Sequence, residues 1–178
     1  MNQNEIVIVR RDIDALMIPS AASITLLRGT EVMITQALGS SYTVNVYGNL
    51  ARVDGKDADA LGKTVVMPED IHDDRSLDEK IGAQLKTCYD PEIPVNIVDL
   101  GLIYDCKVTA LNAGQHRVDI RMTLTAPGCG MGPVLAAEAK QKVLGVSGVS
   151  EVNIDIVFDP LWDRDKMSDA AKLALGLL

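Results

Sequence analysis

The sequence predicts an α+β protein, in which a small, β-rich, barrel-like N-terminal domain precedes a compact α/β domain with a three-stranded sheet flanked by helices. Short apolar runs separated by turn residues fill the N-terminal part, which is typical of antiparallel strands. Farther along, helical and strand periodicities alternate, as in domains where helices pack on a sheet. We therefore expect domains at residues 1–67 and 76–178, joined by a linker at 68–75.

The N-terminal domain is predicted to contain short strands and one helical turn. The predicted strands cover residues 6–9, 24–27, 31–36, 42–47 and 50–53. Turns that contain glycine or asparagine separate them, and such close spacing is typical of a small antiparallel barrel or sandwich. A single helical turn is predicted at 57–62, where Gly62 would close it. The linker at 68–75 begins with proline and is mostly charged.

The C-terminal domain is predicted to begin with a helix. Ser76 and Glu79 have the spacing of a capping box, and Leu77 and Ile81 follow at helical spacing. This helix must end before Pro91, because the residue before a proline is disfavoured in the helical conformation. The remaining predicted elements are a short helix or turn at 96–101, strands at 102–109, 116–125 and 149–158, a helix from 133 to about 144, and an amphipathic helix at 163–178.

Composition and charge exclude several classes of function. A net charge of −8 and a pI near 4.7 oppose binding to phosphate backbones and anionic membranes, so we expect neither a nucleic-acid partner nor a membrane partner. The first residues show no signal-peptide pattern, and no apolar run approaches the roughly 18 residues of a membrane helix. Three cysteines are an odd number, which argues against a disulfide framework. We expect a cytoplasmic protein with free thiols.

One of these thiols, Cys129, lies in a distinctive segment. Residues 125–133 read Thr-Ala-Pro-Gly-Cys-Gly-Met-Gly-Pro and connect a strand pattern to a helix pattern. Just before a helix, unsatisfied N–H groups and the positive end of the helix dipole favour thiolate over thiol. A thiolate is both a nucleophile and a metal ligand. Nucleotide binding by the glycines is disfavoured, because no Gly-Lys-Ser/Thr sequence follows them.

A second polar segment lies at residues 90–101. Two prolines stiffen it, and it carries Asp90, Glu92, Asn96 and Asp99. A stiff loop can hold polar groups in place for binding or chemistry. The same residues could equally cap helix ends in an ordinary connector. The residues alone leave both interpretations open.

The other cysteines and the histidines give weaker signals. Cys88 is predicted on the core face of the first helix, either as a buried apolar residue or as a second ligand or resolving thiol. Cys106 alternates with apolar residues on one strand face, so we expect it to pack in the core. His72 and His116 have no second histidine at zinc-binding spacing, and we interpret both as surface residues.

Two motifs, in this order, closely resemble those of the metal-sulfur cluster biosynthesis domain family, which includes the cytosolic iron–sulfur targeting factors and the phenylacetate-pathway subunit PaaD. They are the segment D-P-E-I-P-V-N-I-V-D-L-G-L-I-Y at 90–104 and T-A-P-G-C at 125–129, with D-P-L-W following at 159–162. The resemblance covers roughly residues 77 to 162. The preceding segments 10–15 and 54–62 are similar to the SufT-type bacterial members.

The resemblance implies a role in maturing iron–sulfur proteins rather than a self-contained reaction. It implies that Cys129 is the functional thiol, reactive or metal-handling. The polar residues that it places around this thiol are Asp90, Glu92, Asn96, Asp99 and Thr125. Asn96 and Asp99 could instead fix the loop, and Ala126 stands where some members have a second threonine, so a hydroxyl pair is not expected here.

An iron–sulfur cluster would need more ligands than Cys129 supplies. Such clusters usually take four ligands, commonly all cysteine. Cys129 could be one ligand of a labile cluster or of iron, shared between subunits or with a client, and Cys88 is the weaker metal-ligand candidate. The implied partners are the iron–sulfur assembly machinery and client apo-proteins, and a homo-oligomer stays open.

Three functions follow from these residues, and we expect the first. It is an accessory, non-enzymatic factor in iron–sulfur cluster assembly or protein maturation. The second is a thiol-dependent enzyme that uses Cys129 as nucleophile, for which the sequence supplies no clear general base, since neither histidine lies near a motif. The third is a pure interaction adaptor whose N-terminal domain recruits clients.

Overall fold

The computed structural model describes residues 4–38, 41–65, 75–90 and 92–177. The chain divides into two compact units, residues 1–73 and 74–178. The predicted linker at 68–75 lies outside the described residues except for Arg75, and His72 lies outside them as well. In the described part of the chain, no helix is long and apolar enough to cross a membrane.

The N-terminal unit is a six-stranded antiparallel sheet with the order β1-β4-β5-β6-β2-β3. Its strands are β1 (Glu5–Ile8), β2 (Ile13–Met17), β3 (Ser23–Leu26), β4 (Glu31–Leu38), β5 (Ser41–Val46) and β6 (Asn49–Asp54). The order ends at β1 and β3, so the predicted barrel-like closure is not confirmed. The predicted antiparallel arrangement of the strands is confirmed.

Aliphatic side chains fill the core of this unit, as the scarcity of aromatic residues requires. A short 3-10 helix, Gly55–Leu61, covers part of the sheet and buries Ala60 and Leu61. Gly62 ends it in the left-handed conformation, with a φ of 72°. The helical turn predicted from this glycine is therefore confirmed.

Strand β2 was not predicted from the sequence. Its residues Asp14, Ala15, Leu16 and Met17 have weak strand propensity, although buried and exposed positions alternate at its start. Pairing with β3 and β6 on both sides places Ile13 in the core, and this burial stabilises the strand. Tertiary pairing thus overrides the local preference.

The C-terminal unit has a three-stranded sheet with the order β7-β8-β9. Its elements are α1 (Leu77–Leu85), β7 (Ile103–Ala110), β8 (His116–Met122), α2 (Gly132–Leu144), β9 (Val149–Ile156) and α3 (Asp169–Ala174). β7 and β8 are antiparallel, whereas β8 and β9 are parallel and are connected through α2. Helices α1 and α2 pack against each other, and α2 packs on β9. The mixed architecture predicted for this domain is confirmed.

Local signals placed the starts of α1 and α2 correctly. The Ser76 hydroxyl accepts a hydrogen bond from the Glu79 N–H at 3.3 Å, and the Ser76 N–H donates to the Glu79 carboxylate at 2.8 Å. This is the predicted capping box. Pro133 lies in the first turn of α2, where its missing N–H costs no helical hydrogen bond.

The predicted helix at 163–178 is wrong over most of its length. The chain forms a 3-10 turn at Arg164–Lys166 and then the short helix α3. Ser168 separates them, because its hydroxyl caps α3 by accepting a hydrogen bond from the Ala171 N–H. Its own N–H donates to the Asp99 carbonyl at 2.8 Å, which ties this segment to residues distant in sequence.

The prediction that Cys106 packs in the core is also wrong, because its side chain is exposed. Its cross-strand neighbour Ile120 is buried in the central strand β8. β7 lies at the edge of the sheet, so a residue on its core-facing side is only partly covered. Strand periodicity identifies a face but does not distinguish an edge strand from a central one.

Candidate functional site

Two loops carry the residues singled out by sequence. We call residues 90–101 the acidic loop and residues 125–131 the cysteine loop. The acidic loop leads into β7 and the cysteine loop leaves β8, its antiparallel neighbour. In an antiparallel pair, the start of one strand lies beside the end of its neighbour, at the same end of the sheet. The Thr123 N–H donates to the Leu102 carbonyl at 2.8 Å, which joins the bases of the two loops.

The D-P-L-W segment emerges at this same end. β9 runs parallel to β8, with Ile156 opposite Met122, and the Val157 N–H donates to the Met122 carbonyl. The Tyr104 hydroxyl, at the start of β7, donates to the Pro160 carbonyl at 2.8 Å. All three motif segments therefore begin or end at one end of the three-stranded sheet.

Asp90 organises the first turn of the acidic loop. It is buried, with 6% of its surface exposed. Its carboxylate accepts hydrogen bonds from the N–H groups of Glu92 at 2.9 Å and Ile93 at 3.0 Å. Glu92 itself is exposed. The two acids of the motif thus differ, since one holds the backbone and the other faces solvent.

Asn96 and Asp99 organise the second turn. The Asn96 side-chain oxygen accepts from the N–H groups of Val98 and Asp99, at 3.1 and 2.9 Å. Its side-chain nitrogen donates to the Asp99 carboxylate at 2.7 Å. Within the described part of the chain, these side chains bond to their own loop and not to the cysteine loop. These contacts favour the interpretation that the pair fixes the loop.

The C-terminal segment holds the acidic loop from outside, and sequence reasoning missed most of these contacts. The Trp162 indole N–H donates to the Leu100 carbonyl at 2.8 Å, and the Ser168 N–H reaches the Asp99 carbonyl. Gly101 has a φ of 73°, and a Cβ there would lie 2.1 Å from the Lys166 carbonyl oxygen. A glycine at the end of a turn is the one local signal that could have indicated this close approach.

The cysteine loop is short and anchored at both ends. Leu124 and Met131, which flank its tip, are buried. A Cβ on Gly132 would lie 2.4 Å from Leu124 Cδ1, so the end of the strand and the start of α2 are in direct contact. Between these anchors, residues 126–128 are exposed, and Gly128 has a φ of 83°. The anchors thus present the middle of the loop to solvent.

Cys129 is partly exposed and lies just before α2, as predicted. It precedes the N-cap residue Met131 by two positions. Its carbonyl accepts from the Gly132 N–H at 3.2 Å, and its own N–H donates to the Ala126 carbonyl at 3.4 Å. Because Gly132 is used in this way and Pro133 has no N–H, the start of α2 offers fewer free donors than the helix-terminus argument assumed.

The three thiols have different surroundings. Cys88 is fully buried, as expected for an apolar core residue, and its Sγ lies 3.9 Å from the Gln84 carbonyl. Partial burial, together with the negative charges of Asp78 and Asp105, raises the pKa of the Cys106 thiol. Cys129 alone lies on a glycine-rich loop at the end of the sheet where the motifs meet.

The donor set of the described residues does not fit a metal ion or cluster held by this chain alone. In residues 4–38, 41–65, 75–90 and 92–177, no group of three or more His, Cys, Asp or Glu side chains could hold a metal ion. Cys88 is enclosed in the core, and Cys106 lies on an edge strand. Cys129 is thus the one accessible thiol among the motif residues.

Thr123 is a further residue that the sequence did not indicate. It is fully buried, and its hydroxyl has no hydrogen-bond partner in the described part of the chain. Thr125, which the motif did indicate, is half-buried at the start of the cysteine loop. Nothing in the local pattern distinguishes these two threonines.

Comparison with known proteins identifies the C-terminal unit. Residues 78–156 match a family described as iron-sulfur cluster assembly protein. The chain is 46% identical over 101 residues to an Fe-S protein maturation auxiliary factor from Porphyromonas gingivalis, covering 57% of this chain and 92% of that protein. It is 41% identical over 88 residues to the Fe-S protein maturation auxiliary factor SufT from Staphylococcus aureus, covering 49% of this chain and 96% of that protein.

A solved structure agrees with this assignment. The crystal structure of a domain of unknown function from Bacillus anthracis superposes with a TM-score of 0.50 at 37% identity, covering 57% of this chain and 93% of that one. The family resemblance found in the two motifs is confirmed. The chain therefore belongs to the iron-sulfur cluster assembly protein family, and the matching region includes both the acidic loop and Cys129.

Proposed function

We propose that this chain is an accessory factor in the maturation of iron–sulfur proteins and that Cys129 is its functional thiol. The observation that carries the proposal is the convergence of three motif segments at one end of the sheet, where Cys129 lies on a partly exposed loop. The names of the related proteins from P. gingivalis and S. aureus support the same role.

A non-enzymatic role agrees with the position of the histidine that the structure describes. His116 begins β8, whereas the cysteine loop follows the end of that strand. A strand of this length separates the two by about 20 Å. His116 is therefore too far away to act as a general base for Cys129.

In this proposal, iron or a labile iron–sulfur cluster is cargo rather than a resident cofactor. Cys129 would supply one thiolate ligand, and the client or the assembly machinery would supply the others. Incomplete ligation by the carrier suits transfer, because the receiving protein can complete the ligand set. Asp90, Asn96 and Asp99 would maintain the loop beside this thiol, with Glu92 and Thr125 as its more accessible polar surroundings.

The remaining parts of the proposal concern organisation and partners. We place the domains at residues 1–67 and 76–178, with 68–75 as linker. The partners are client apo-proteins and the iron–sulfur assembly machinery in the cytoplasm, and a second copy of the chain is a further candidate partner.

The test is maturation in cells that lack their own copy of the gene. The full chain, Cys129→Ser and the matched control Cys106→Ser are expressed at equal levels, and the activity and iron content of iron–sulfur enzymes are measured. We expect the wild type and Cys106→Ser to restore both, and Cys129→Ser to restore neither. Full restoration by Cys129→Ser would show that the thiol is not required.

A second measurement separates cargo binding from docking. Iron, acid-labile sulfide and absorbance are measured on anaerobically reconstituted wild-type protein and on Cys129→Ser. Binding that depends on Cys129 supports partial ligation. If the wild type binds neither iron nor sulfide but still supports maturation through Cys129, direct carriage is wrong and the thiol acts in docking.

A further inference from the structure

The N-terminal unit contains a groove along its edge strand that the role of Cys129 does not use. Its volume is about 510 Å³. Residues of β1, the end of the 3-10 helix and two arginines, Arg10 and Arg28, line it. Grooves of this size accommodate ligands of several hundred cubic ångströms.

The backbone of β1 is open for pairing on one side. Val9, which follows β1, donates its N–H to the Thr30 carbonyl at 2.9 Å, and its carbonyl accepts from the Gly29 N–H. Both groups therefore point toward the side of β4. Because backbone directions alternate along a strand, the N–H and carbonyl groups of Ile6 and Ile8 point the other way. No described strand pairs with β1 on that side.

Arg10, two residues after Ile8, shows that the open edge of β1 can bind a carbonyl group. The Arg10 N–H, which also points away from β4, donates to the Ala60 carbonyl at 2.8 Å. This contact occupies one end of the edge. The N–H and carbonyl groups of Ile6 and Ile8 lie beyond it, where no described strand pairs with them. Both side chains are exposed, at 64% and 60%, and can contact a neighbouring strand.

The groove lining carries two arginines, Arg10 and Arg28, and one carboxylate, Glu5, which pairs with Lys63. Arg11 pairs with Asp57 at 2.8 Å and with Asp59 at 2.7 Å. The side chains of Arg10 and Arg28, by contrast, form no ion pair with any described residue. Arg10 lies against Gly62, where a Cβ would be 2.8 Å from its Nη2. Among the described residues, these two guanidinium groups therefore have no anionic partner, in a chain with a net charge of −8.

We propose that this groove binds an extended acidic segment of a partner protein by strand addition to β1. The partner backbone pairs with Ile6 and Ile8, and its carboxylate side chains bind Arg10 and Arg28. Open strand edges bind such segments through main-chain hydrogen bonds, and the arginines select for acidic side chains. The inference rests on the N-terminal unit and is independent of the function proposed for Cys129.

The test uses the full chain and a fluorescein-labelled hexapeptide of alternating glutamate and valine. Binding is measured by fluorescence anisotropy at low ionic strength. Two comparison peptides separate the two parts of the proposal: one has lysine in place of glutamate, and one keeps the glutamates but carries N-methyl groups that prevent strand pairing. We expect only the unmodified acidic peptide to bind well. Equal binding of either comparison peptide, or no binding of any peptide, would overturn the proposal.

Variants and hydrogen exchange locate the contact. The double variant Arg10→Gln/Arg28→Gln should bind at least about tenfold more weakly, because charge-assisted hydrogen bonds are lost. The matched control Arg121→Gln/Arg164→Gln removes two exposed arginines of the other unit and should bind as the wild type does. Exchange of the Ile6 and Ile8 amides should slow on binding. Unchanged affinity of the first variant, or unchanged exchange at both amides, contradicts the proposal.

Discussion

The acidic loop and the cysteine loop leave the same end of one sheet, but their polar groups are used differently. In the acidic loop, the side chains of Asp90, Asn96 and Asp99 bond to the loop itself. In the cysteine loop, the Cys129 thiol is partly exposed, and no hydrogen bond joins it to the described part of the chain. The motif residues can therefore divide into a hydrogen-bonded framework and a partly exposed thiol.

This difference has a physical consequence. Loss of a buried hydrogen-bonded group or of a required glycine should destabilise the fold, whereas loss of the exposed thiol should leave the fold intact. The acidic loop is also held by Trp162 and Ser168, which come from a distant part of the chain. We therefore expect substitutions of the hydrogen-bonded or closely packed residues of the acidic loop to affect stability and substitution of Cys129 to affect function.

The largest expected effect is that of Gly101→Ala. A Cβ there would lie 2.1 Å from the Lys166 carbonyl oxygen, and the φ of 73° is unfavourable for alanine. We expect a loss of about 3 kcal/mol or more in unfolding free energy, measured by urea denaturation. Gly128→Ala is the matched control in the cysteine loop, since its φ is also positive but no atom lies within 4 Å of its Cβ position. It should cost about 1 kcal/mol. Equal losses would contradict the comparison.

The next effect compares the two acids of the D-P-E segment. Asp90→Ala removes a buried acceptor and leaves the N–H groups of Glu92 and Ile93 without that partner. We expect a loss of about 2 kcal/mol in unfolding free energy. Glu92→Ala changes an exposed side chain and should stay within about 0.5 kcal/mol of the wild type. If Glu92→Ala were the more destabilising variant, the assignment of Asp90 to the framework would be wrong.

A smaller effect distinguishes the thiols by alkylation. Native protein is treated with iodoacetamide, and the modified cysteine is identified by mass spectrometry. We expect Cys129 to react first, Cys106 more slowly because its raised pKa lowers its thiolate fraction, and Cys88 only after unfolding. Raising the pH should accelerate the reaction of Cys106. Faster modification of Cys106 than of Cys129 at neutral pH would remove the distinction between these two thiols.

The smallest effect concerns acid sensitivity outside both loops. A hydrogen bond from Asn153, together with the nearby Arg117, lowers the pKa of the Asp119 carboxyl. A carboxyl whose pKa is lower in the folded state stabilises the fold above its unfolded pKa, and this contribution is lost as the pH falls through the lowered value. Asn153→Ala should therefore lose slightly less stability than the wild type on acidification. A greater acid sensitivity of Asn153→Ala would contradict this sign.

Sequence reasoning predicted the parts of the fold that depend on local signals. The capping box of Ser76, the glycine stop at Gly62 and the proline in the first turn of α2 each act within a few residues. The motif pair also identified both loops. Their convergence follows only once β7 and β8 are known to be antiparallel neighbours.

The errors concern contacts between residues distant in sequence. β2 forms through pairing with β3 and β6 despite weak local propensity, and Cys106 is exposed because β7 is an edge strand. The C-terminal segment bends to bind Asp99 instead of continuing as a helix. Periodicity carries no information about which strand lies at an edge or which carbonyl a distant N–H will reach.

The most direct test of the division between framework and thiol measures two quantities on one variant, Cys129→Ser. Urea denaturation gives its unfolding free energy, and the maturation assay gives its function. We predict an unfolding free energy within about 0.5 kcal/mol of the wild type, together with loss of maturation. Full maturation, or a loss of stability large enough to explain the loss of function, would contradict the account.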